Sequence, residues 1–218
     1  MKQALTLSLS LGVVCALAAS VLAFANKQTK DAQEAAELRV KNDALGMVLP
    51  DFDNHPLEEA TQVELKDGRT VTFYPAIRDG ERVAYAAEGG TEKGYGGALR
   101  ILVGLEIDGT IRAVVVSSHS ETPGLGTQAT DRKRTVKLTE FVTGKAGGDA
   151  DALPPSKYLD QYTGKNLARK NPFALSSAGG TIDAVSGATI TSQAVLDAVN
   201  AVAQAFRRNR DDLVQDQE

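Results

Sequence analysis

The sequence predicts an α+β protein in which one N-terminal transmembrane helix precedes a mainly antiparallel-sheet domain with packed helices. Three observations support this fold class. Residues 4–25 form a long uncharged run, short β-type runs separated by Asp-Gly pairs occupy the centre, and residues 193–208 show an apolar pattern with a helical period. Strands that follow one another through tight turns, without helices between them, indicate an antiparallel meander and argue against repeated βαβ units.

The uncharged run at residues 4–25 is long enough to cross a membrane. As a helix it spans about 33 Å, slightly more than a hydrocarbon core of about 30 Å. A cleaved signal peptide is the alternative, because Ala23-Phe24-Ala25 fits a small-x-small cleavage site. The length favours a retained anchor over residues 1–28. Lysines on both flanks leave its orientation open.

A charged, alanine-rich segment follows at residues 29–49 and predicts a stalk helix. This helix should end near Gly46, because Pro50 cannot continue it. We therefore expect a stalk or linker over residues 29–60, a folded domain over 61–208 and a charged, solvated tail over 209–218.

Three Asp-Gly pairs, at residues 67–68, 79–80 and 108–109, separate the β-type runs. An Asp-Gly pair predicts a tight hairpin in which both turn residues have positive φ. The clearest hairpin joins residues 99–106 to 111–117. Alternation predicts that one of its faces carries Ile101, Val103, Leu105, Ile107, Ile111, Ala113 and Val115.

Composition excludes several classes of function. The formal net charge is −4 and tryptophan is absent, so neither the basic patch nor the stacking surface of a nucleic-acid-binding protein is expected. Cys15 is the only cysteine, which excludes an internal disulfide and a cysteine-ligated metal or iron–sulfur site. His55 and His119 lack the spacing of a metal pair.

The segment 183–192, with the sequence DAVSGATITS, is the strongest candidate site. The small residues Gly187 and Ala188 precede Thr189, so a bulky group can approach its hydroxyl closely. A helical period follows over residues 193–208, so Thr189 should lie in the turn that opens this helix, where free N–H groups and the positive end of the helix dipole favour a phosphate. An ordinary N-cap built from hydroxyl residues is the competing interpretation.

This segment resembles the flavinylation motif of FMN-binding domains, in which an Asp precedes Ser/Thr-Gly-Ala-Thr. Three further segments resemble the same family: Gly94-Tyr95-Gly96-Gly97, the ETPGLG stretch at 121–126, and residues 158–165. The chain is most similar to the G subunit of Rnf electron transport complexes, which is related to the C subunit of the sodium-translocating NADH:quinone reductase. Residues 135–155 look like an insertion, and residues 176–178 depart from the family pattern.

The resemblance implies that Thr189 carries FMN covalently through a phosphoester bond. It also implies a separate flavin transferase as a maturation partner, since a threonine hydroxyl is a poor nucleophile without a base. Asp183 is the nearby candidate for orienting or deprotonating Thr189, and Ser186, Gly187 and Ala188 complete the motif.

The resemblance also implies that the ETPGLG loop lies against the isoalloxazine ring. The resulting flavin-pocket candidates are Glu121, Thr122, Gly124, Leu125 and Gly126. Leu125 is expected to cover a ring face, and backbone N–H groups freed by the glycines are expected to meet acceptor atoms of the flavin. His119 is expected to be a surface residue at the end of a strand.

The implied function is electron transfer within an ion-translocating oxidoreductase complex that uses ferredoxin and NAD as redox partners. The domain would lie on the extracytoplasmic side of a bacterial inner membrane, beside other membrane subunits. The predicted span carries no charged residue and so does not suit an ion path by itself. Two alternatives stay open: a secreted, soluble flavoprotein that reduces an extracytoplasmic enzyme, and a non-redox assembly subunit with a vestigial motif.

Overall fold

The computed structural model describes residues 2–132, 153–168 and 173–210. The chain forms two compact units, Met1–Asn42 and Asp43–Glu218. Most of the predicted insertion at 135–155 and most of the predicted tail at 209–218 lie outside the described residues. The sequence-based boundaries at residues 28, 60 and 208 stay predictions.

Helix α1, Lys2–Val48, includes both the predicted anchor and the predicted stalk. Its segment Leu7–Lys30 is long and apolar enough to cross a membrane, with a mean hydropathy of 2.3 and no part of its apolar window buried inside the protein. Cys15 lies exposed on this segment. The helix ends two residues before Pro50, as the sequence predicts.

A five-stranded antiparallel sheet forms the centre of the second unit and confirms the predicted meander. Its strands are β1 (Thr61–Glu64), β2 (Thr70–Arg78), β3 (Glu81–Gly94), β4 (Gly97–Glu106) and β5 (Ile111–His119). They lie in the sheet in chain order, and each pairs with the next in antiparallel orientation.

Helical segments follow the sheet along the chain. Helix α2 is the single turn Thr127–Thr130, and two short 3₁₀ helices cover Leu159–Tyr162 and Ser176–Ala178. The long helix α3, Thr189–Arg208, comes last among the described elements. Together with the sheet, these helices confirm the predicted α+β class.

The Asp-Gly pairs lie in three of the four turns between strands. Gly68, Gly80 and Gly109 have φ values of +81°, +81° and +86°. Of the three aspartates only Asp79 also has a positive φ, +56°, so only the β2–β3 turn has the predicted conformation at both residues. The fourth turn, between β3 and β4, presents Tyr95.

The predicted side-chain faces are correct for β4 and wrong for part of β5. Leu105 pairs with Ile111, but Gly104 pairs with Ala113, so Arg112 is an extra residue in a β-bulge. After the bulge the alternation is inverted. Val114 joins the face of Ile101, Val103 and Leu105, whereas Ala113 and Val115 belong to the opposite face.

Both faces of the sheet are covered by helices. One face packs against α3, which buries Val195, Val199, Val202 and Phe206 as its helical period predicts. The other face packs against the last turn of α1 through Leu45 and Val48. Gly104 permits this approach, since a Cβ there would overlap the backbone of Val48. The sheet thus supports α3 from its second turn to its C-terminal end.

A pair of buried tyrosines packs behind this first turn. Tyr158 immediately precedes the first 3₁₀ helix, and its ring meets that of Tyr162 edge to face at a centroid distance of 5.8 Å. The two hydroxyl groups lie 2.9 Å apart, and the Tyr158 hydroxyl donates to the carbonyl oxygen of Ser192 in α3. These polar partners let both hydroxyls be buried without a large desolvation penalty.

Alkaline pH is expected to destabilise the domain through this tyrosine pair. Burial raises the pKa of Tyr158 to about 12 and raises the pKa of Tyr162 as well, whereas an unfolded tyrosine ionises near pH 10. The folded state therefore holds these protons more tightly than the unfolded state. The contribution of the pair to the free energy of unfolding is fully present below about pH 10 and is lost as the pH rises towards 12. Thermal unfolding midpoints across this range should fall steeply. The unfolding midpoint of a Tyr162→Phe variant should fall less steeply with pH. An identical slope in the two proteins would contradict the assignment of this pH dependence to the tyrosine pair.

Candidate functional site

Helix α3 begins at Thr189 and has no side-chain cap. Its N-cap is Ala188, which provides no side-chain acceptor, and the N–H of Ser192 donates to the Ala188 carbonyl at 2.9 Å. The N–H groups of the first helical residues have no partner inside a helix. The alternative of an ordinary hydroxyl N-cap is therefore wrong here, and the helix start can accept an anion.

The loop before the helix has a tight, closed shape. The Ala188 N–H donates to the Val185 carbonyl at 3.0 Å, and the Val185 N–H donates to the buried Ser192 hydroxyl at 3.0 Å. Gly187 has a φ of +79°, and a Cβ there would meet no atom within 4 Å. These bonds leave Gly187 and Thr189 exposed at the surface.

A cavity of about 360 Å³ opens in front of Thr189. It is lined by Tyr95, Leu125, Gly126, Gly187, Ala188, Thr189, Ile190 and Thr191. The side chains of Tyr95, Leu125 and Ile190 are 68%, 53% and 55% exposed. Among the described residues after position 50, these are the only large apolar side chains with such exposure. Exposed apolar groups that converge on one cavity indicate a ligand site.

A larger cleft of about 530 Å³ lies elsewhere on the sheet and contains none of the predicted site residues. Its arginines face carboxylates: Arg69 pairs with Asp197 at 2.9 Å, and Arg100 lies 3.8 Å from Glu88. The charges of this cleft are thus balanced internally. The smaller cavity, where the motifs meet, is the better candidate.

The structure brings together half of the ten predicted binding residues. Cavity-lining members of that set are Leu125, Gly126, Gly187, Ala188 and Thr189. Members that lie near the surface but do not line the cavity are Asp183, Ser186, Thr122 and Gly124. Sequence reasoning did not select Tyr95, Ile190 and Thr191. For Tyr95 a signal was present, since it lies within the Gly-Tyr-Gly-Gly segment that resembles the family.

Glu121 has a different place from the one expected. Its side chain is buried beneath the cavity wall and does not line the cavity. It accepts a hydrogen bond from the Thr191 hydroxyl at 2.8 Å and one from the Gly96 N–H at 3.3 Å. A direct contact of this carboxylate with a ring in the cavity is therefore not supported.

The N–H groups of Gly124 and Leu125 in the ETPGLG loop are already hydrogen-bonded within the protein. The Gly124 N–H donates to the Thr127 hydroxyl at 2.9 Å, and the Leu125 N–H donates to the Thr122 carbonyl at 3.2 Å. These two groups are not free for a ligand in this conformation. Leu125 contributes its apolar side chain to the cavity instead.

The backbone of Asp183 is hydrogen-bonded to the side chain of Gln161. The side-chain amide of Gln161 accepts from the Asp183 N–H at 2.7 Å and donates to the Asp183 carbonyl at 3.0 Å. Among the described residues, no hydrogen bond joins the Asp183 carboxylate to Thr189. A role of Asp183 in activating that hydroxyl stays a hypothesis.

His119 is half-buried and belongs to a polar cluster, so the expectation of a plain surface residue is incomplete. Its Nδ1 accepts from the Glu121 N–H at 3.2 Å, and its Nε2 lies 3.1 Å from Asp131 and 3.2 Å from the Thr130 hydroxyl. It fixes the end of β5 to the following loop.

Residues 94–204 match the family model of the FMN-binding domain. The match starts at the β3–β4 turn and ends inside α3, so it contains every residue that lines the cavity. The fold and the cavity thus belong to an FMN-binding domain protein.

The similarity extends beyond this domain. The chain is 34% identical to the G subunit of the ion-translocating oxidoreductase complex of Stutzerimonas stutzeri, over 88% of this chain and 76% of that protein. It is 31% identical to the corresponding G subunit of Pseudomonas aeruginosa strain UCBPP-PA14, over 100% of this chain and 94% of that protein. It is 27% identical to the G subunit of the Na(+)-translocating ferredoxin:NAD(+) oxidoreductase complex of Acetobacterium woodii, over 94% and 93% of the two chains. The chain belongs to this family of G subunits.

The residues of the cavity fit FMN. The uncapped start of α3 supplies N–H groups suited to a phosphate, and Gly187 leaves open space beside Thr189. Tyr95, Leu125 and Ile190 supply an apolar surface suited to a flat aromatic ring. The site therefore offers both a polar helix start for a phosphate and an apolar surface for an aromatic ring.

Proposed function

We propose that this protein is a redox subunit of an Rnf-type complex and carries FMN covalently on Thr189 through a phosphoester bond. One observation carries the choice of residue. Thr189 is exposed at the cavity, and no hydrogen bond of the described residues engages its hydroxyl. The Thr191 hydroxyl is buried and donates to Glu121 at 2.8 Å, so it is already occupied.

Bound FMN would supply one- and two-electron transfer. The protein's own residues bind and orient this group. N–H groups at the start of α3 stabilise the negative charge of the phosphate. Tyr95, Leu125 and Ile190, which line the cavity, would pack against the ring and exclude water from part of its surface. Covalent attachment prevents loss of the cofactor and keeps it close to its redox partners.

Attachment requires a catalyst from outside the chain. Thr189 has no hydrogen-bonded base among the described residues, and an unactivated threonine hydroxyl is a poor nucleophile. We therefore propose a flavin transferase as maturation partner, with FAD as the flavin donor: the Thr189 oxygen bonds to the flavin-side phosphorus, the pyrophosphate bond of FAD breaks, AMP leaves and the hydroxyl proton is released. Asp183 is proposed to orient or deprotonate Thr189 in the complex with that enzyme, and a fully flavinylated Asp183→Ala variant would contradict this role.

The proposed cellular setting rests on the relatives and on α1. The relatives' names describe subunits of ion-translocating complexes, one of them a ferredoxin:NAD(+) oxidoreductase. We propose that Leu7–Lys30 anchors the chain in a bacterial inner membrane, with the FMN-binding domain on the extracytoplasmic side and other complex subunits as partners. A cleaved, soluble flavoprotein is the alternative, and an intact N-terminus on the mature protein would contradict it.

Mass spectrometry of the full chain tests this proposal. The chain is produced with and without an active flavin transferase, and its intact mass and proteolytic peptides are compared. We expect a mass increase of one FMN minus one water, only with the transferase, on the peptide that contains Thr189. An unmodified chain in the presence of active transferase would overturn the proposal, and a label on another peptide would move the site.

Replacing Gly187 by valine is expected to impair flavin attachment by crowding the approach to Thr189. Gly179 provides a matched control, because it has a φ of +78° against +79° for Gly187 and its Cβ position is equally open. Valine should strain both backbones by a similar amount, of the order of 1–3 kcal/mol. Only Gly187 lines the cavity. Flavin content should therefore fall in Gly187→Val and persist in Gly179→Val, and equal labelling of the two would contradict the steric explanation.

A further inference from the structure

Glu121 links three segments that are far apart in the sequence. The residue itself starts the ETPGLG loop, its carboxylate accepts the Thr191 hydroxyl of α3 at 2.8 Å, and it accepts the Gly96 N–H of the β3–β4 turn at 3.3 Å. Each of these segments contributes to the cavity, through Leu125, Ile190 and Tyr95. One buried side chain therefore joins the three walls of the site.

Glycines leave the space that this carboxylate occupies. A Cβ at Gly94 would lie 2.7 Å from one Glu121 oxygen, and a Cβ at Gly126 would overlap the other. A Cβ at Gly96 would overlap the Ser120 backbone and lie 2.9 Å from the Glu121 nitrogen. The Gly-Tyr-Gly-Gly and Pro-Gly-Leu-Gly segments thus share one physical requirement, which is close packing around Glu121.

The backbone of Glu121 is fixed as well. Its N–H donates to His119 Nδ1 at 3.2 Å, and His119 Nε2 lies 3.1 Å from Asp131. Among the described residues, Glu121 forms no ion pair, so its buried carboxylate depends on the two neutral donors for compensation. Burying a carboxylate without such donors is costly. The side chain can therefore remain buried only while both neighbouring segments stay in place.

We infer that Glu121 is a positioning residue, which sets the relative places of Tyr95, Leu125 and Ile190 and thereby holds the flavin ring in one orientation. It acts through Thr191 and Gly96 and does not touch the ring. The part of this inference that concerns the ring rests on the proposed function, whereas the part that concerns the cavity walls does not.

The test compares two replacements of Glu121 in the full chain in detergent. Glutamine can keep both links, because its Oε1 can accept the Gly96 N–H while its Nε2 donates to the Thr191 hydroxyl oxygen, which then accepts a hydrogen bond instead of donating one. Methionine has a similar size but removes both acceptors. In flavinylated protein, Glu121→Met should lose at least half of the visible circular dichroism of the flavin and lower its fluorescence anisotropy, and Glu121→Gln should restore both. Glu92→Met, at an exposed glutamate of β3, is the matched control.

Amide hydrogen exchange of the flavin-free chain supplies an independent readout. Glu121→Met should speed exchange about fivefold to tenfold in peptides that contain Gly96 and in peptides from the start of α3, because each loses a hydrogen bond of ordinary strength. Thr191→Val should reproduce the change at α3, and Thr191→Ser should reverse it. If Glu121→Met does not fold, the two Thr191 variants still test whether Glu121 joins the cavity walls.

The inference would be overturned if both Glu121→Met and Thr191→Val showed the same amide exchange rates and the same flavin spectra as the wild type. Equal losses in Glu121→Gln and Glu121→Met would also overturn it, because charge rather than hydrogen bonding would then be required. A wild-type chain without covalent flavin would contradict the proposed function alone, since the exchange comparison would still decide whether Glu121 joins the cavity walls.

Discussion

Thr189→Ala is expected to abolish covalent flavin completely. The variant loses the one hydroxyl that is both exposed at the cavity and placed at the start of α3. Its fold should be retained, because the residue is exposed and alanine is a strong helix former. In-gel flavin fluorescence after denaturing electrophoresis, with the transferase co-expressed, measures the loss.

Thr189→Ser is the matched variant, since serine keeps the hydroxyl and removes only a methyl group. It should retain fluorescence in the gel. A band that stays fluorescent in Thr189→Ala would move the site, with Thr191 as the next candidate. That outcome would require the bond from Thr191 to Glu121 to break during modification. Absence of fluorescence in every protein, including the wild type, with the transferase shown to be active, would contradict the proposed covalent attachment of FMN.

The local features of the fold could be predicted because they depend on neighbouring residues. Asp-Gly turns and the helical period of α3 are encoded in short stretches of sequence. The face of Ala113 and Val115 could not be predicted in the same way. The bulge at Arg112 depends on how β5 pairs with β4, and nothing in the alternation of β5 reveals one extra residue.

The candidate site shows the same division between local and distant information. Thr189, Gly187 and Ala188 form one contiguous motif, and all three line the cavity. The sequence points to Glu121 as well, but as a direct ligand contact. Its buried position depends on the approach of Gly94 and Gly126, and no single stretch of sequence displays that packing. The sequence alone does not identify Ile190 as a cavity residue, because an apolar residue in a helix usually packs into the core.

Phe206→Ala should reduce the stability of the fold, whereas Ile190→Ala should change the cavity and leave the stability nearly unchanged. Both residues are large, apolar and part of α3. Phe206 is fully buried and packs against the β4–β5 turn, where a Cβ at Gly109 would overlap its ring. Its replacement should lower the free energy of unfolding by about 3–5 kcal/mol. Ile190 is 55% exposed at the cavity, so its replacement should change that free energy by less than about 0.5 kcal/mol.

The access of solvent to the attached flavin should change in Ile190→Ala and stay the same in Phe206→Ala. Ile190→Ala removes part of the apolar wall, so iodide should quench the attached flavin more strongly than in the wild type. Phe206→Ala, measured well below its unfolding midpoint, should leave quenching unchanged, because the residue lies at the far end of the helix from Thr189. Chemical unfolding followed by circular dichroism and iodide quenching measure the two effects separately. A large loss of stability in Ile190→Ala would mean that this side chain belongs to the core. Altered quenching in folded Phe206→Ala would mean that the cavity depends on the packing of the whole helix.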